Sequence, residues 1–300
     1  MFIVNNRNWF YVLSALLTGA ALFAIVFWGL KFGIDFEGGS LLEVTYPNGR
    51  PEVTVINDKL TALDLRGSSA RPTGDDGFII RTPFLEEDAR QALIASLSNN
   101  GTTPIVEKRF DSIGPTLGTE LANKAGLSLG LVILAIVIFV TFAFRKVSEP
   151  VSSWKYGVIT IIALVHDVII PTGAFAALGY FLGYEVDALF VTALLVILGF
   201  SVHDTIVVFD RVRENLRVNA EKNRKEAFDE VVGKSIAQTF NRSINTSLTT
   251  LLALAALYFF GSETTQHFTL ALLIGIAAGT FSSIFLASPL LVTAERLQTK

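Results

Sequence analysis

Ionisable side chains inside long apolar stretches are the residues of this sequence best suited to chemistry. Asp167 follows His166 in the middle of one such stretch, and Asp204 follows His203 in another. A charged side chain within a bilayer is costly and marks an ion or proton pathway by default. Removal from water favours the protonated form of a carboxyl group, whereas a nearby guanidinium favours the ionised form. A carboxyl group under both influences changes its proton affinity with conformation, as coupling to a proton gradient requires.

A polar stripe at the start of another apolar stretch could take part in the same chemistry. Asn245, Thr246 and Thr249 follow Arg242 at spacings of three, four and seven residues. On a helix these spacings place all four side chains on one face. We expect this face to point towards other helices or towards water.

Depth along the helices indicates which of these groups can meet. At a rise of 1.5 Å per residue, the seven residues from Asp204 to Arg211 place the carboxylate roughly 10 Å inside the cytoplasmic boundary. Arg242 lies at that boundary, and its long side chain can reach inward. An Asp204–Arg242 ion pair is therefore feasible, and Asp167, roughly 15 Å deep by the same count, can extend a proton path outward.

Other interpretations of these residues stay open. The buried groups can pair and lock the helices together without moving protons, and each histidine can simply satisfy a neighbour's hydrogen bond. A metal or hydrolytic site at the two His-Asp pairs is disfavoured, because the sequence has no HExxH, no Gly-x-Ser-x-Gly and no third ligand at helical spacing. The chain also lacks cysteine, which excludes thiol nucleophiles, thiolate metal sites and disulfides. We therefore expect no catalytic residue, no metal, no cofactor and no enzymatic activity.

Six apolar segments can carry the ionisable residues across a membrane. The 300 residues are 51% hydrophobic and only 17% charged, whereas a soluble domain has about 25% charged residues. A spanning helix needs about 20 mostly apolar residues. The predicted spans are 10–30, 127–144, 156–178, 186–209, about 242–260 and 268–292. We interpret the first as an uncleaved anchor, because its apolar run is too long for a signal peptide.

Lysine and arginine in the short loops predict the orientation. They concentrate after the second and fourth spans, whereas the loops at 179–185 and 261–267 contain neither. The membrane part of the chain is therefore expected to comprise residues 1–31, with the first span, and residues 124–300, with spans two to six. Both termini and a loop at about 211–241 are expected to lie in the cytoplasm. Within that loop, residues 211–240 are predicted to form an amphipathic helix along the membrane surface. The basic residues used here are Arg7, Arg145, Lys146, Lys155, Arg211, Arg213, Arg217, Lys222, Arg224, Lys225, Lys234, Arg296 and Lys300.

Residues 32–123 are predicted to form a folded domain on the opposite, periplasmic side. Alternation predicts strands at 40–46, 77–82 and 103–110, and helical spacing predicts helices at 53–63 and 86–97. This order is typical of a ferredoxin-like split β-α-β arrangement. The predicted fold class is thus an α-helical polytopic membrane protein with six transmembrane helices and one extracytoplasmic α+β domain between spans one and two. The net charge of −3 argues against nucleic-acid binding.

The segment GIDFEGG connects the first span to this domain. Gly33, Gly38 and Gly39 suit a turn that needs unusual backbone angles. We interpret the three glycines and Asp35 as a hinge to the periplasmic domain. A metal site made of Asp35 and Glu37 is the less favoured alternative, because alternation points both side chains the same way in only one geometry.

Five segments together carry a resemblance to a known family. They are GIDFEGG (33–39), DSIGPTLGTEL (111–121), ALVHD (163–167), GFSVHDTIVVFDRVREN (199–215) and QTFNRSINTSLTTLL (238–252). The chain resembles, over essentially its whole length, the SecD/SecF family of protein translocase accessory subunits in the resistance-nodulation-division superfamily. The resemblance implies a partner, SecD, with a second six-helix half, and association with the SecYEG translocon. It also implies contact with the translocating preprotein and membrane lipids, and it allows YajC and YidC as further partners. The implied location is the bacterial cytoplasmic (inner) membrane.

The resemblance also implies roles for individual residues. Asp204 matches the family's proton-linked aspartate in the fourth span, Arg242 its functionally important arginine in the fifth, and Asp167 its acidic position in the third. His203 departs from the family's more usual asparagine, which would make the hydrogen-bond partner of Asp204 itself titratable. His166, Asn245 and Thr246 are candidates for relay or hydrogen-bond support.

The implied function is use of the proton-motive force to assist Sec-dependent protein translocation. A related proton-driven exporter of lipids or small molecules is one alternative, and it predicts a large apolar pocket in the external domain. A passive translocon scaffold is another, and it predicts that neutralising Asp204 or Arg242 leaves export intact. An intramembrane hydrolase acting through His203 is the remotest alternative.

Overall fold

Two compact units make up this chain. A computed structural model describes residues 2–144 and 151–298; Arg145, Lys146 and Lys300 of the predicted charge pattern lie outside the described residues. The helical unit contains Met1–Lys31 and Leu127–Lys300, and the sheet unit contains Phe32–Gly126. In chain order the elements are α1 (Phe2–Asn5), α2 (Arg7–Trp28), α3 (Ile34–Glu37), β1 (Gly39–Thr45), α4 (Val53–Ala62), β2 (Ser69–Thr73), β3 (Gly77–Thr82), α5 (Glu87–Leu97), β4 (Val106–Ile113), α6 (Pro115–Ala143), α7 (Ser153–Leu182), α8 (Ala188–Glu221), α9 (Phe228–Phe260), α10 (Glu263–Phe281), a π-helical segment (Ser282–Ala287) and α11 (Ser288–Gln298).

Six helices within the described residues are long and apolar enough to cross a membrane. They are α2, α6, α7, α8, α9 and the continuous helix formed by α10, the π segment and α11. In the most apolar part of each, 50% of the residues of α7, 44% of α8 and 61% of the last helix are buried, against 17% for α2, 6% for α6 and 11% for α9. The third, fourth and sixth spans therefore form the centre of the helical unit. The prediction of a six-span polytopic membrane protein is confirmed.

The predicted surface helix at 211–240 is wrong. Residues 211–221 continue α8 without interruption, residues 228–241 begin α9, and a short connection at 222–227 joins the two helices. Neither glycine nor proline interrupts α8 after Phe209, and Arg211 pairs with Glu214 one turn on (2.6 Å), so the charged residues prolong the helix rather than end it. Polar side chains then join the two extensions: Arg211 Nε donates to Gln238 Oε1 (2.6 Å) and Asn215 Nδ2 to Ser235 Oγ (2.8 Å). Asn219 Nδ2 donates to Glu226 Oε2 of the connection (3.2 Å). The fifth helix consequently begins at Phe228, well before Arg242.

The sheet unit confirms the predicted α+β domain between the first two spans. Its four strands have the order β2-β3-β1-β4, and every neighbouring pair is antiparallel. Each of the helices α4 and α5 connects two strands that are not neighbours, which is the ferredoxin-like arrangement. The alternating residues Leu42, Val44 and Tyr46 of β1 and the segment after it are buried against the two helices.

Strand β2 was not singled out by the sequence pattern, and β4 begins later than predicted. Residues 69–73 (SARPT) show no apolar alternation because β2 is an edge strand with little buried surface. Pro72 is tolerated there, since an edge strand does not need every backbone N–H for pairing. The last strand runs from Val106 to Ile113, so Thr103 lies before it.

The GIDFEGG segment contains a single helical turn, α3, followed by two glycines with positive φ. Gly38 has φ +78° and Gly39 has φ +125°, whereas Gly33 is extended at φ −77°. A Cβ atom on Gly38 would lie 2.8 Å from Cα of Pro115, and one on Gly39 would lie 2.8 Å from the carbonyl oxygen of Thr82. Both glycines are therefore required by backbone angle and by the close approach of α6 and β3. Whether the segment acts as a hinge stays a prediction.

Arg90 connects α5 to the sheet, and its loss is expected to loosen the sheet unit. Its guanidinium donates to both oxygens of Glu107 (2.7 and 2.8 Å), pairs with Glu87 (2.9 Å) and stacks over Phe110, with its Cζ 4.8 Å from the ring centroid. We expect Arg90→Ala to lower the free energy of opening of β4 by about 1–2 kcal/mol, because a bidentate, half-buried pair and a cation–π contact are lost. Hydrogen exchange of the full chain in detergent, read by mass spectrometry, measures this energy.

A matched control for Arg90 is Arg66→Ala. The Arg66–Asp64 pair has 91% and 82% exposed side chains, so its loss should change the opening energy by less than about 0.5 kcal/mol.

Hydrogen bonds from Gln91 and Arg90 lower the pKa of Glu87 below its ordinary 4.5. The contribution of Glu87 to the stability of the sheet unit is therefore present above pH 4.5 and is lost as the pH falls through the lowered pKa. An equal effect of both alanine variants at neutral pH would contradict this role of Arg90.

Candidate functional site: buried carboxylates in the helical unit

Asp167 of α7 lies at the centre of the helical unit and is completely buried. Ser282 Oγ, at the start of the π segment, donates to its Oδ2 over 2.8 Å, and Ser201 Oγ of α8 donates to the same oxygen. His166 Nδ1 lies 2.8 Å from Oδ1 and donates to it in the tautomer that carries the proton on Nδ1. Three side chains from three helices thus satisfy this carboxylate.

Asp204 of α8 is the second buried carboxylate, with 6% of its surface exposed. Ser283 Oγ donates to its Oδ2. Ser283 directly follows Ser282, so two consecutive residues of the sixth helix contact the two carboxylates predicted from the sequence. The two carboxylates and their donors form two hydrogen-bonded groups between α7, α8 and the π segment, and the Ser282–Ser283 peptide connects them; together they are called the polar cluster.

Consecutive residues of a helix point about 100° apart, so the two serines face two different helices, and they lie at the start of the π segment. A π-helical turn accommodates an extra residue, and such turns occur frequently at functional sites. Ser288 Oγ donates to the carbonyl oxygen of Ser283 over 2.7 Å, which satisfies a carbonyl group at the widened turn. Ser282, Ser283 and Ser288 are all completely buried.

Two glycines let α10 approach α8 closely beside this cluster. A Cβ atom on Gly275 would lie 2.1 Å from Cδ1 of Ile197, and one on Gly279 would lie 3.0 Å from Cβ of Ser201. The spacing Gly275–Gly279 is the small-residue pattern that brings membrane helices together. This close packing places the start of the π segment within hydrogen-bonding distance of both carboxylates.

The structure does not form the feasible Asp204–Arg242 ion pair. Arg242 lies on the exposed face of α9 and makes no hydrogen bond or ion pair with any residue that the structure describes. The buried face of the same helix carries Ser243 and Ser247, and Thr280 Oγ1 donates to Ser247 Oγ over 2.7 Å. The predicted depths of Asp204 and Arg242 permitted the pair. Arg242, however, lies about 100° around the helix axis from the buried Ser243, so its side chain points outward.

The rest of the predicted polar stripe is also exposed. Asn245, Thr246 and Thr249 lie with Arg242 on the outer face of the helical unit. Thr249 Oγ1 donates to the backbone carbonyl groups of Asn245 and Thr246, both at 2.9 Å. All four side chains thus share one face as predicted, and that face points away from the other helices of this chain.

The two histidines differ in their surroundings. His166 supports Asp167 directly, its ring stacks on Phe281 with centroids 6.3 Å apart, and its Nε2 has no hydrogen-bond partner among the described residues. His203 is exposed on α8, so the prediction that it would be the hydrogen-bond partner of Asp204 is wrong. The observed partner, Ser283, comes from another helix.

The side chains of the cluster are of types that can bind protons and exchange hydrogen bonds. Carboxylates accept protons, hydroxyl groups both donate and accept hydrogen bonds, and a neutral imidazole does the same through its two nitrogens. Within the described residues no group of three or more His, Asp or Glu side chains could hold a metal ion. The geometry of the cluster offers two carboxylates, each with its own hydroxyl donor or donors.

Sequence comparison identifies the family. Residues 93–297 match the family model of the protein export membrane protein SecD/SecF, C-terminal, and residues 23–46 match the SecD/SecF GG motif. The chain belongs to the SecD/SecF family. The GG motif includes Gly38 and Gly39, and the larger match includes both carboxylates, the polar stripe and the π segment. The resemblance seen in the sequence is thereby confirmed.

Relatives within the SecD/SecF family extend over nearly the whole chain. A protein translocase subunit SecF of Thermobaculum terrenum is 42% identical, with 98% of this chain and 93% of the relative covered. A subunit of the same name from Anaerolinea thermophila is 39% identical, with 98% and 94% covered. By sequence, this chain is therefore a SecF-type member of the family.

A solved structure of a family member shares the fold. The crystal structure of SecDF, a translocon-associated membrane protein from Thermus thermophilus, matches with a TM-score of 0.80 and 31% identity. The match covers 98% of this chain but only 38% of that longer chain. A crystal structure of SecDF in a super-membrane-facing form matches with a TM-score of 0.69 and 30% identity. This chain thus corresponds to somewhat more than a third of the SecDF chain.

Sequence reasoning missed the serines of the site. Ser201, Ser282 and Ser283 carry no charge and lie in otherwise apolar spans, so they did not stand out beside the aspartates. The one available signal was the Ser-Ser pair three residues after Gly279 in the sixth span, because consecutive hydroxyls in an apolar helix must find acceptors.

Proposed function

We propose that this chain is the SecF-type subunit of a SecDF complex that uses the proton-motive force to assist Sec-dependent protein translocation. The observation that carries the proposal is the buried cluster in which Asp167 and Asp204, on neighbouring spans, are joined to consecutive serines of a third span. If these groups served only to lock two helices together, one carboxylate with one hydroxyl donor would be enough. Two buried carboxylates on neighbouring spans, both bonded to the same segment of a third span, supply two sites where protons can bind.

The chemistry of the cluster favours a change of protonation with conformation. Burial destabilises an ionised carboxylate, whereas hydroxyl donors stabilise it. Asp167 has two hydroxyl donors and a histidine, so small movements of α7, α8 or the π segment alter the balance at this group. Because both carboxylates contact the same segment, uptake of a proton at one can change the geometry at the other.

The exposed stripe supports a partner with its own helices in the membrane. A guanidinium that faces lipid at the start of a spanning segment is unfavourable unless a partner group pairs with it. A carboxylate on a second six-helix half would offset this cost by pairing with the guanidinium. We therefore propose SecD as the partner of this face, in agreement with the SecDF chains of which this chain covers only part.

The proposed setting is the bacterial inner membrane. The basic residues of the α8–α9 connection and the absence of lysine and arginine from residues 179–185 and 261–267 support cytoplasmic termini and a periplasmic sheet unit. Membership of the SecD/SecF family supports SecYEG, a translocating preprotein and membrane lipids as proposed partners, with YajC and YidC as further candidates. We propose that the subunit is not an enzyme and works through the proton gradient alone.

A role in lipid export gains no support from the sheet unit. A groove of about 580 Å³ lies there beside α4. Most of its lining is polar, including Asn57, Thr61, Asp64 and Arg66. A lipid would require an apolar chamber, so this groove does not favour the exporter alternative.

Collapse of the proton gradient tests the proposed function. In inverted membrane vesicles that contain SecD and SecYEG, export of a reporter precursor is compared with and without this chain. We expect the chain to increase export several-fold, and we expect a proton ionophore to remove that increase while ATP-driven export continues. An increase that persists in the presence of the ionophore would instead support a passive scaffold.

A further inference from the structure

Ser283 has acceptors on two sides. Its Oγ contacts Asp204 Oδ2 and also lies 3.2 Å from the backbone carbonyl oxygen of Thr280, three residues earlier in the same helix. A serine hydroxyl carries one proton and two lone pairs, and its proton rotates to the better acceptor. The hydroxyl can therefore donate either to the carboxylate or to the carbonyl group.

Ser282 repeats this geometry at the other carboxylate. Its Oγ lies 2.8 Å from Asp167 Oδ2 and 3.1 Å from the backbone carbonyl oxygen of Gly279. Both serines are completely buried, so water does not compete freely for these hydrogen bonds. The two consecutive hydroxyl groups thus have the same arrangement of acceptors. Each has a carboxylate on one side and, on the other, the backbone carbonyl oxygen of the residue three positions earlier.

We propose that Ser283 is a positioning residue for proton binding at Asp204, and that its hydroxyl exchanges acceptors when this carboxyl group gains or loses a proton. When Asp204 is ionised, the Ser283 O–H donates to Oδ2. When Oδ2 is protonated, the carboxyl O–H donates to Ser283 Oγ, and the serine proton turns to the carbonyl oxygen of Thr280. The serine neither gains nor loses a proton, and each state leaves these groups hydrogen-bonded.

The surroundings of the π segment contain few other titratable groups that could take this role. His166 and Asp167 of α7 are buried beside the same segment and contact Ser282 or its carboxylate. His203 and Asp210 of α8 and Arg242 of α9 are exposed.

The remaining elements packed against the segment carry their titratable groups elsewhere along their lengths. On α10, the ring of His267 stacks on that of Tyr184, with centroids 3.9 Å apart. On α2, Arg7 donates to the backbone carbonyl oxygen of Val4 and Tyr11 hydrogen-bonds Thr293. On α11, Glu295 and Arg296 lie in the last turn. Ser283 is thus the described hydroxyl that connects Asp204 to the sixth helix.

The test measures the pH profile of gradient-driven export, in vesicles with the assembled complex, for Ser283→Ala. This inference rests on the proposed function, so Asp204→Asn is measured in parallel. We expect Ser283→Ala to move the midpoint of the profile to higher pH by about one unit, equal to about a tenfold change in proton affinity, because the ionised carboxylate loses its donor. Ser283→Thr, which keeps the hydroxyl, should restore the midpoint.

Ser247→Ala is the matched control. Ser247 is equally buried in hydroxyl contacts with the sixth helix, but it bonds Thr280 rather than a carboxylate. We expect its pH profile to coincide with that of the unmodified chain. Should Ser283→Ala fail to assemble, Ser283→Cys provides the measurement, since a thiol is a weak donor and its midpoint should also rise.

The outcomes separate the two proposals. If Asp204→Asn abolishes gradient-driven export but both Ser283→Ala and Ser283→Cys keep the original midpoint, the role of Ser283 is wrong and the proposed function stands. If Asp204→Asn exports normally, the proposed function itself fails. A shift of equal size for Ser247→Ala would overturn the inference, because it would reflect general loosening of the helices.

Discussion

Replacing Asp204 with asparagine is expected to reduce gradient-driven export at least tenfold while the complex assembles at its normal level. Asparagine has nearly the same shape and can still hydrogen-bond Ser283, but it cannot take up and release a proton. Fold and packing should therefore be preserved, and proton coupling should be lost. Export of a reporter precursor in cells, together with co-purification of the partner, measures both quantities.

Asp210→Asn is the control for this substitution. Asp210 lies on the same helix, is exposed, and pairs loosely with Arg213 at 3.5 Å, so its neutralisation should leave export unchanged. Normal export by Asp204→Asn would move the coupling to Asp167 or to the partner, or would support a passive scaffold. Loss of export accompanied by loss of assembly would point to a structural role for the carboxylate.

Reversing the charge of Arg242 is expected to reduce recovery of the partner by at least tenfold. In the proposed complex this exposed guanidinium pairs with a carboxylate of the second six-helix half. Two facing carboxylates would repel each other in a low-dielectric interface, and breaking a buried ion pair costs about 3–5 kcal/mol. Co-purification of SecD with Arg242→Glu, at equal expression of both chains, measures the effect.

Arg217→Glu provides the comparison for this charge reversal. Arg217 is also on an exposed helix surface, with a side chain 73% exposed and a long contact to Glu221 at 3.5 Å. We expect it to leave recovery of the partner unchanged. Undiminished recovery with Arg242→Glu would mean that the polar stripe faces lipid headgroups or water rather than SecD.

Length and periodicity were sufficient to predict the spans and most of the sheet unit. Twenty apolar residues with few charges have few alternatives to a membrane helix, and the alternation at Leu42, Val44 and Tyr46 could be satisfied only by a strand with one buried face. Strand β2 could not be found in this way, because an edge strand such as SARPT buries too little to need alternation. The prediction for residues 211–240 is wrong because the charged side chains pair with one another and both helices continue through them.

The candidate site could be predicted only in part. Asp167 and Asp204 were identifiable because a carboxyl group in an apolar span is conspicuous by its cost. Their partners were not, since Ser282 and Ser283 are uncharged, and the packing of the sixth helix against α7 and α8 decides which groups they contact. The depth of Arg242 was predictable by counting residues, but its direction depended on which face of α9 is buried, and that is decided by packing against α10.

The most direct test of the central claim is proton flux through the assembled complex. Proteoliposomes containing this chain, SecD and SecYEG, with an interior pH indicator, would be given a proton gradient and a translocating precursor. The account predicts precursor-dependent proton entry for the unmodified chain and for Asp210→Asn, and none above the lipid leak for Asp204→Asn. Equal proton entry with Asp204→Asn would contradict the claim that protons pass by way of this carboxylate.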